Sequence, residues 1–295
     1  MAGAERLFDR YVVVDWSAAA VPRTGADSVW IAALDADVRA ASATDVPMVN
    51  PPTRRTAEAE LGRLTSDPTR RTLVAIDAPL GYPDGSAAWF GLDGPSGWRS
   101  MWQAISELVA DDAANRNNRF EVAAALNRRG SPPGPFWGAP ARRAIDGLAH
   151  TRPTHWDVPE LRRVDDVLRR RGFRPASCWQ LLGAGSVGSQ TLTLLPVLAR
   201  LMRRGGWHVW PMTTGYLEPR LGPGETAVAE TWPTVFGAEV MPTWMVRDAA
   251  QVTAVALALR DADERNELAS WFAPPTGGAT SDEGWVLAPP HVFAD

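Results

Sequence analysis

The sequence predicts an α/β fold, and three observations lead to that prediction. An apolar run that closes on an aspartate occupies 11–16, and a second run with the same ending lies at 72–77. Between them, 56–64 carries apolar residues at helical spacing, so helix and strand together indicate a crossover back into one sheet. Two later segments, 192–204 and 248–261, have the apolar stripes of helices that cover a sheet.

The composition restricts the class of protein. The chain has 295 residues, of which 45% are hydrophobic and 22% charged, as in ordinary globular proteins, and we predict a single domain over 1–295. One cysteine excludes an intrachain disulfide framework. No apolar run approaches the ~20 residues of a membrane span, and the first ten residues lack the apolar core of a signal peptide. A cytoplasmic protein without membrane partners is therefore expected.

The N-terminal strands are predicted to form an antiparallel hairpin. A Pro/Gly-containing turn at 17–27 follows the first strand, and 28–34 reads as the second strand. Strands this close in the chain pair antiparallel. A third strand is expected within 35–50, before the helix at 56–64.

The region 80–205 is predicted to be an insertion or elaboration on the core. Its proline-rich stretch at 131–140 excludes a regular element there. Helical spacing of apolar residues recurs in three segments before the long helix, at 101–111, 120–127 and 159–171.

The C-terminal third is predicted to complete the sheet. Short strands are expected at 207–211, 226–232 and 284–287. In the second of these, Val228 and Glu230 share one face because strand side chains alternate. That face therefore carries a carboxylate beside apolar residues.

Four acidic residues form the candidate catalytic and metal-binding set. Asp15 and Asp77 end apolar strands, Glu230 lies on a strand, and Asp248 opens a helix on its apolar stripe. Carboxylates brought together at one sheet edge repel each other unless a proton or a metal lies between them. Oxygen ligands suit Mg²⁺ and Mn²⁺, and a pair of such ions activates water and stabilises the leaving oxygen of a phosphodiester. The set predicts a Mg²⁺ or Mn²⁺ site.

Each acid also has a simpler explanation when taken alone. Asp15 and Asp77 are common turn residues, Asp248 suits a helix N-cap, and Glu230 fits a half-exposed edge strand. The metal hypothesis therefore depends on the four residues as a set.

The segment 183–188 has the G-x-G-x-x-G spacing of dinucleotide-binding loops. Those loops follow a clear strand and precede an acidic residue by about 20 positions, and neither feature is present here. We interpret the segment as a Gly/Ser loop that leads into the helix at 192–204. The N-terminal amides of such a helix bind phosphate, which makes Gly185 and Ser186 candidate phosphate contacts.

Other catalytic chemistries find little support. The four histidines lack metal-ligand spacing, so zinc is not expected. Ser17 and Ser186 have no accompanying His/Asp arrangement, so a serine hydrolase is not expected. Ser17 and Arg128 are instead candidates for contacts to phosphate or to the metal ligands.

Four motifs follow one another along the chain: Val14-Asp15-Trp16-Ser17, Ile76-Asp77-Ala78-Pro79-Leu80-Gly81, Ala229-Glu230-Thr231-Trp232-Pro233 and Asp248-Ala249-Ala250-Gln251. Together they resemble an uncharacterised bacterial family of predicted RNase H-like nucleases. The similarity spans the chain from residue 11 to about 287. Three intervening segments, at 123–128, 135–138 and 183–190, resemble a subgroup of that family.

The resemblance implies a fold and an activity. The fold is an RNase H-like mixed sheet, with three antiparallel strands followed by parallel ones and flanking helices. The implied metal site contains Asp15, Asp77 and Asp248, with Glu230 as a fourth candidate. The implied function is a divalent-metal-dependent nuclease or phosphodiester hydrolase acting on nucleic acid or a nucleotide.

Two other functions stay open. Some members of the subgroup carry molybdopterin- or cobalamin-biosynthesis labels. This is consistent with a nucleotide- or cofactor-binding protein linked to molybdopterin metabolism, whose 183–188 loop would open a helix beside a pocket. A non-catalytic member of the fold would instead have its acids already bound by arginine or backbone partners.

Overall fold

Six strands form one mixed sheet at the centre of the protein. The computed structural model describes residues 6–39, 42–92, 94, 96–131, 133–155, 157–183, 185–237, 246–273 and 280–294. The strands are β1 (Arg10–Asp15), β2 (Trp30–Asp35), β3 (Met48–Val49), β4 (Thr72–Asp77), β5 (Trp207–Val209) and β6 (Thr226–Glu230). Their order across the sheet is β3-β2-β1-β4-β6-β5.

The strand directions divide the sheet into two parts. β2 pairs antiparallel with both β1 and β3, whereas β4 runs parallel to β1 and β6 runs parallel to β4 and β5. The hairpin and the parallel return at 72–77 are therefore confirmed, as is the α/β class. The third strand within 35–50 is also present, although it has only two residues.

Eight α-helices lie in the described part of the chain. All predicted helices are present, with shifted bounds: the 159–171 helix begins only at Arg163, because the backbone N–H of Arg162 before it is bound by the Asp165 carboxylate. No helix among the described residues is long and apolar enough to cross a membrane. The helices are α1 (Arg54–Leu64), α2 (Ser86–Trp89), α3 (Gly97–Leu108), α4 (Arg119–Arg129), α5 (Arg163–Arg170), α6 (Gly188–Met202), α7 (Arg247–Glu264) and α8 (Leu268–Trp271).

Helices cover both faces of the sheet, which explains why the central strands are apolar throughout. Val14 and Ile76 point to one side and pack with residues of α1, α3, α4 and α6; we call this the α6 face. Val13 and Ala75 point to the other side and pack with residues of α5, α7 and α8; we call this the α7 face. Alternation along each strand therefore assigns every strand-end acid to one face.

The prediction of a strand at 284–287 is wrong. Val286 forms an isolated parallel bridge with Glu230, and the N–H of Leu287 donates to the Glu230 carbonyl at 2.8 Å. β5 pairs with β6 only as far as Val228, so the end of β6 is left open for this single bridge. Pro289 and Pro290 then follow and have no N–H to continue a ladder.

Candidate active site

Asp15 and Asp77 lie side by side where β1 and β4 end. The parallel register pairs Asp15 directly with Asp77, one step after Val14 with Ile76. Alternation places both acids on the α7 face, with Val13 two residues before Asp15. Neither carboxylate forms a hydrogen bond or an ion pair with another residue that the structure describes. The backbone thus holds the two acids side by side, and no residue in the described part of the chain neutralises them.

Asp248 reaches the same face from α7. It occupies the first turn of that helix, whose N-cap is Val246, so Asp248 is not the cap itself. Its Oδ2 accepts the backbone N–H of Asp27 at 2.7 Å, and the Ser17 hydroxyl donates to the Asp27 carbonyl at 3.0 Å. Ser17 therefore organises the loop after β1, which links Asp248 to Asp15.

The pKa values of all three carboxyl groups are raised. Burial raises the pKa of Asp15 well above its ordinary value, and the charges of Asp77 and Asp248 raise it further. Burial, together with the charges of Glu230 and Asp248, raises the pKa of Asp77 from 3.8 to about 7. The pKa of Asp248 is also raised, mainly by burial, although the Asp27 N–H opposes this. Unneutralised, mutually repelling acids at a sheet edge are typical of functional sites.

Glu230 belongs to a different cluster. Alternation from Val228 assigns it to the α6 face, where Arg162 donates to its Oε1 at 2.7 Å and to its Oε2 at 2.6 Å. Arg162 also donates to Asp165 through two nitrogens, each at 3.0 Å, and all three side chains are buried. Both oxygens of Glu230 therefore accept hydrogen bonds from Arg162, and the positive charge of Arg162 opposes the binding of a cation by this carboxylate.

Arg162 is a site residue that the sequence analysis missed. Burial lowers the pKa of Arg162, but the charges of Asp165 and Glu230 outweigh this effect and raise it well above its ordinary value. The guanidinium thus stays charged between two carboxylates. Its neighbour Arg163 is also an arginine, so no sequence signal separates the buried one from the exposed one.

A cavity of about 520 Å³ opens beside Asp77 and the Arg162 cluster. The ends of β4 and β6, the start of α6 and the segment after α5 surround this cavity. Gly185 and Ser186 line it as the loop hypothesis expects, and so does Arg174, an exposed arginine that the sequence analysis did not select. Its lining includes Asp77, Arg162, Asp165, Arg174, Gly185, Ser186, Val187, Gln190, Glu230, Thr231 and Trp232.

Arg128, predicted to contact phosphate or the metal ligands, lies outside this lining. It lies in the last turn of α4, where its guanidinium donates to the backbone carbonyl of Asp146 and lies 3.8 Å from the Asp146 carboxylate. A basic residue in the last turn of a helix is commonly used for such local contacts.

The G-x-G-x-x-G spacing has a structural explanation without a dinucleotide. Gly183 and Gly185 adopt positive φ angles of 115° and 71°, which L side chains rarely adopt. Gly188 is the first residue of α6, and a Cβ there would lie 2.5 Å from the carbonyl oxygen of Cys178. The first two glycines thus make the turn, and the third allows α6 to begin against the preceding segment.

Gly188→Ala is expected to destabilise the protein by about 1–3 kcal/mol, because backbone must move to admit the methyl group. Denaturant unfolding measures this change. The control is Gly222→Ala, whose Cβ would lie 3.6 Å from the Glu225 Oε2, an ordinary contact, and whose effect should stay within about 0.5 kcal/mol. Equal losses in the two variants would show that the close approach at Gly188 is unimportant.

The raised pKa of Asp77 predicts a pH-dependent stability in metal-free protein. The folded state holds the Asp77 proton up to about pH 7, whereas the ordinary pKa is 3.8. The free energy of unfolding therefore falls as pH rises between these values. Asp77→Asn has no proton to lose, so its free energy of unfolding at high pH should be about 2 kcal/mol higher than that of the unsubstituted protein. This figure is reduced from the full pKa shift because the carboxylate is partly exposed.

Thermal unfolding in EDTA at pH 4 and pH 8 measures this effect. Asp77→Asn should be more stable than the unsubstituted protein at pH 8 and similar to it at pH 4. The matched control Asp37→Asn removes an acid whose side chain is 76% exposed, and it should follow the unsubstituted protein at both pH values. A destabilised Asp77→Asn at pH 8 would mean that the carboxylate is already compensated.

Comparison with known proteins identifies no relative. No protein-family model matches the chain, and no curated protein or solved structure is significantly similar to it. Within the described ranges, no group of three or more His, Cys, Asp or Glu side chains is already arranged to hold a metal ion.

Proposed function

We propose that the protein is a Mg²⁺- or Mn²⁺-dependent phosphodiester hydrolase, a nuclease with an RNase H-like fold. One observation carries the proposal: Asp15 and Asp77 are in register on adjacent parallel strands, near Asp248, and no described residue neutralises the first two. Folding such a pair without compensation costs stability. A divalent cation would remove that cost.

The strand topology supports the RNase H-like part of the proposal. An antiparallel run, β3-β2-β1, is followed by the parallel strands β4 and β6. Acids come from the first strand, the fourth strand and the late helix α7, which is the arrangement that the family resemblance implies. The addition is β5, which extends the parallel edge beyond β6.

The residues present fit a hard divalent ion. Mg²⁺ keeps several waters and is usually held by one or two carboxylates together with substrate phosphates. Asp15 and Asp77 supply two carboxylates, so the absence of a preformed group of three in the described residues is compatible with such a site. When bound, the ion would activate water and stabilise negative charge on the leaving oxygen.

The chain's own residues would prepare this site in three ways. Asp15 and Asp77 would hold the ion, and Asp248 is oriented by the Asp27 N–H. Arg162 donates to both oxygens of Glu230 and balances its charge. The cavity beside Asp77 receives the phosphate ester.

The direct test is metal-dependent hydrolysis. We expect the purified protein to cleave bis(p-nitrophenyl) phosphate and single-stranded oligonucleotides in Mn²⁺ or Mg²⁺, and to lose this activity in EDTA. Turnover that is unchanged by EDTA, or absent from a wide panel of diesters in either metal, would contradict the proposal.

The second candidate is a nucleotide- or cofactor-binding protein without hydrolytic activity. It is favoured by one observation: the described residues of the 183–188 loop line the cavity and lead directly into α6. It predicts phosphate-ester binding that persists in EDTA, with no turnover in any divalent metal. The third possibility, a non-catalytic scaffold, accounts for Glu230 but leaves Asp15 and Asp77 without partners in the described chain.

A further inference from the structure

Two polar groups of the cavity are used neither by the fold nor by the proposed metal site. Thr231 is only 1% exposed, and its hydroxyl has no hydrogen-bond partner among the described residues. Arg174 is exposed at the cavity, and its guanidinium forms no ion pair or hydrogen bond within the described chain. Buried polar groups normally find partners, so an unpaired cation on the cavity wall, with an unsatisfied buried hydroxyl in a neighbouring lining residue, indicates a polar ligand.

Arg174 and the start of α6 supply the positive charge that a ligand in the cavity could contact. Arg162 is already bound by Asp165 and Glu230, which leaves Arg174 as the cation open to a ligand among the described lining residues. The adjoining loop at 185–187 leads into α6, a helix of 15 residues. The Gly188 N–H already donates to the Gln180 carbonyl, so the next amides, those of Ser189 and Gln190, supply the partial positive charge of the helix start. Arginine and backbone amides are the usual donors to phosphate.

An aromatic surface adjoins this polar region. Trp232 lines the cavity and is only partly buried. Its ring packs against Phe173, the residue before Arg174, with ring centroids 5.7 Å apart. Leu168 and Pro175 extend the apolar wall. An exposed aromatic beside an arginine suits a planar base attached to a phosphate, because bases stack on aromatic side chains.

We propose that the cavity binds one nucleotide unit, with its phosphate at Arg174 and the α6 amides and its base against Trp232. The unit is a free nucleotide or the end of a single strand. The volume of about 520 Å³ lies within the range of roughly 300–1,000 Å³ for small-molecule sites, and a duplex cannot enter it. This inference rests on the proposed function, since it names the substrate class of the same site.

Calorimetric titration of the full chain with adenosine 5′-monophosphate and with adenosine, each with and without Mn²⁺, tests the inference. Arg174→Ala should weaken nucleotide binding about 10-fold or more and leave adenosine binding unchanged. Trp232→Leu should weaken both ligands about 10-fold. The control Arg170→Ala removes an exposed arginine of α5 that does not line the cavity and should change neither.

Three results would overturn the inference: no nucleotide binding in either condition, adenosine binding as tightly as the nucleotide, or equal nucleotide binding by Arg174→Ala. Mn²⁺ titration alone separates it from the metal proposal. Mn²⁺ binding without nucleotide binding would contradict only the proposed nucleotide site. Arg174-dependent nucleotide binding without any Mn²⁺ binding would contradict only the proposed metal-dependent hydrolase. A 5′-phosphorylated tetranucleotide that binds more tightly than the mononucleotide identifies a strand end as the ligand, and weaker binding identifies the free nucleotide.

Discussion

Asp77→Asn is expected to lower metal-dependent hydrolysis by more than about 100-fold. Removal of a group that merely orients a metal ligand costs about 10–100-fold, and Asp77 is itself a ligand in the proposed site. The amide keeps the shape of the side chain but loses the negative charge that holds the ion. Measurement of kcat/KM on a phosphodiester in saturating Mn²⁺ gives the effect, and Asp15→Asn should produce a loss of similar size.

The loss should occur without unfolding, which separates a ligand from a structural residue. At pH 8 in EDTA, Asp77→Asn should be at least as stable as the unsubstituted protein, because the raised pKa of Asp77 disfavours its charged form. The control Asp112→Asn removes an exposed acid that pairs with Arg116 and should keep full activity. Full activity in Asp77→Asn would exclude the carboxylate from the chemistry.

Arg162→Met is expected to destabilise the protein by about 3–5 kcal/mol, because it leaves buried carboxylates without their cation. Arg162, Asp165 and Glu230 are each at most 4% exposed. The Arg162 guanidinium makes four of its hydrogen bonds to these two acids. Denaturant unfolding measures the loss, and metal affinity should fall as well if freed Glu230 disturbs the neighbouring Asp77.

Two further variants identify the cause of that loss. Arg169→Met on α5, the helix that Arg162 precedes, breaks an exposed pair with Asp166 and should cost less than about 1 kcal/mol. Adding Glu230→Gln to Arg162→Met should restore part of the stability, since one uncompensated charge is removed. An Arg162→Met variant as stable as Arg169→Met would show that the buried cluster contributes little.

Asp15 and Asp77 could be predicted as neighbours because short sequence patterns around each of them are sufficient. Each ends an apolar strand, and the helix at 56–64 returns the chain parallel to its first strand. The observed register then follows from two strands of equal length, Arg10–Asp15 and Thr72–Asp77. Asp248 could be predicted for the same reason, since its position on the apolar stripe of α7 turns it toward the sheet.

The partner of Glu230 could not be predicted, because it comes from a distant part of the chain. Arg162 lies 68 residues from Glu230, within an arginine-rich segment in which no period distinguishes one arginine from the next. The face of Glu230 was predictable from alternation, but its neutralisation was not. Arg128 was a candidate for contacts to phosphate or to the metal ligands, and its local contact with Asp146 was not predicted.

The most direct test of the central claim is Mn²⁺ binding by calorimetry, on the unsubstituted protein and on the Asp15→Asn/Asp77→Asn variant, with Asp112→Asn as control. We predict binding in the micromolar to low millimolar range at pH 8, retained in the control and abolished in the double variant. Equal binding by the double variant, or no binding by the unsubstituted protein at about 10 mM Mn²⁺ even with adenosine 5′-monophosphate present, would contradict a carboxylate metal site at the ends of β1 and β4.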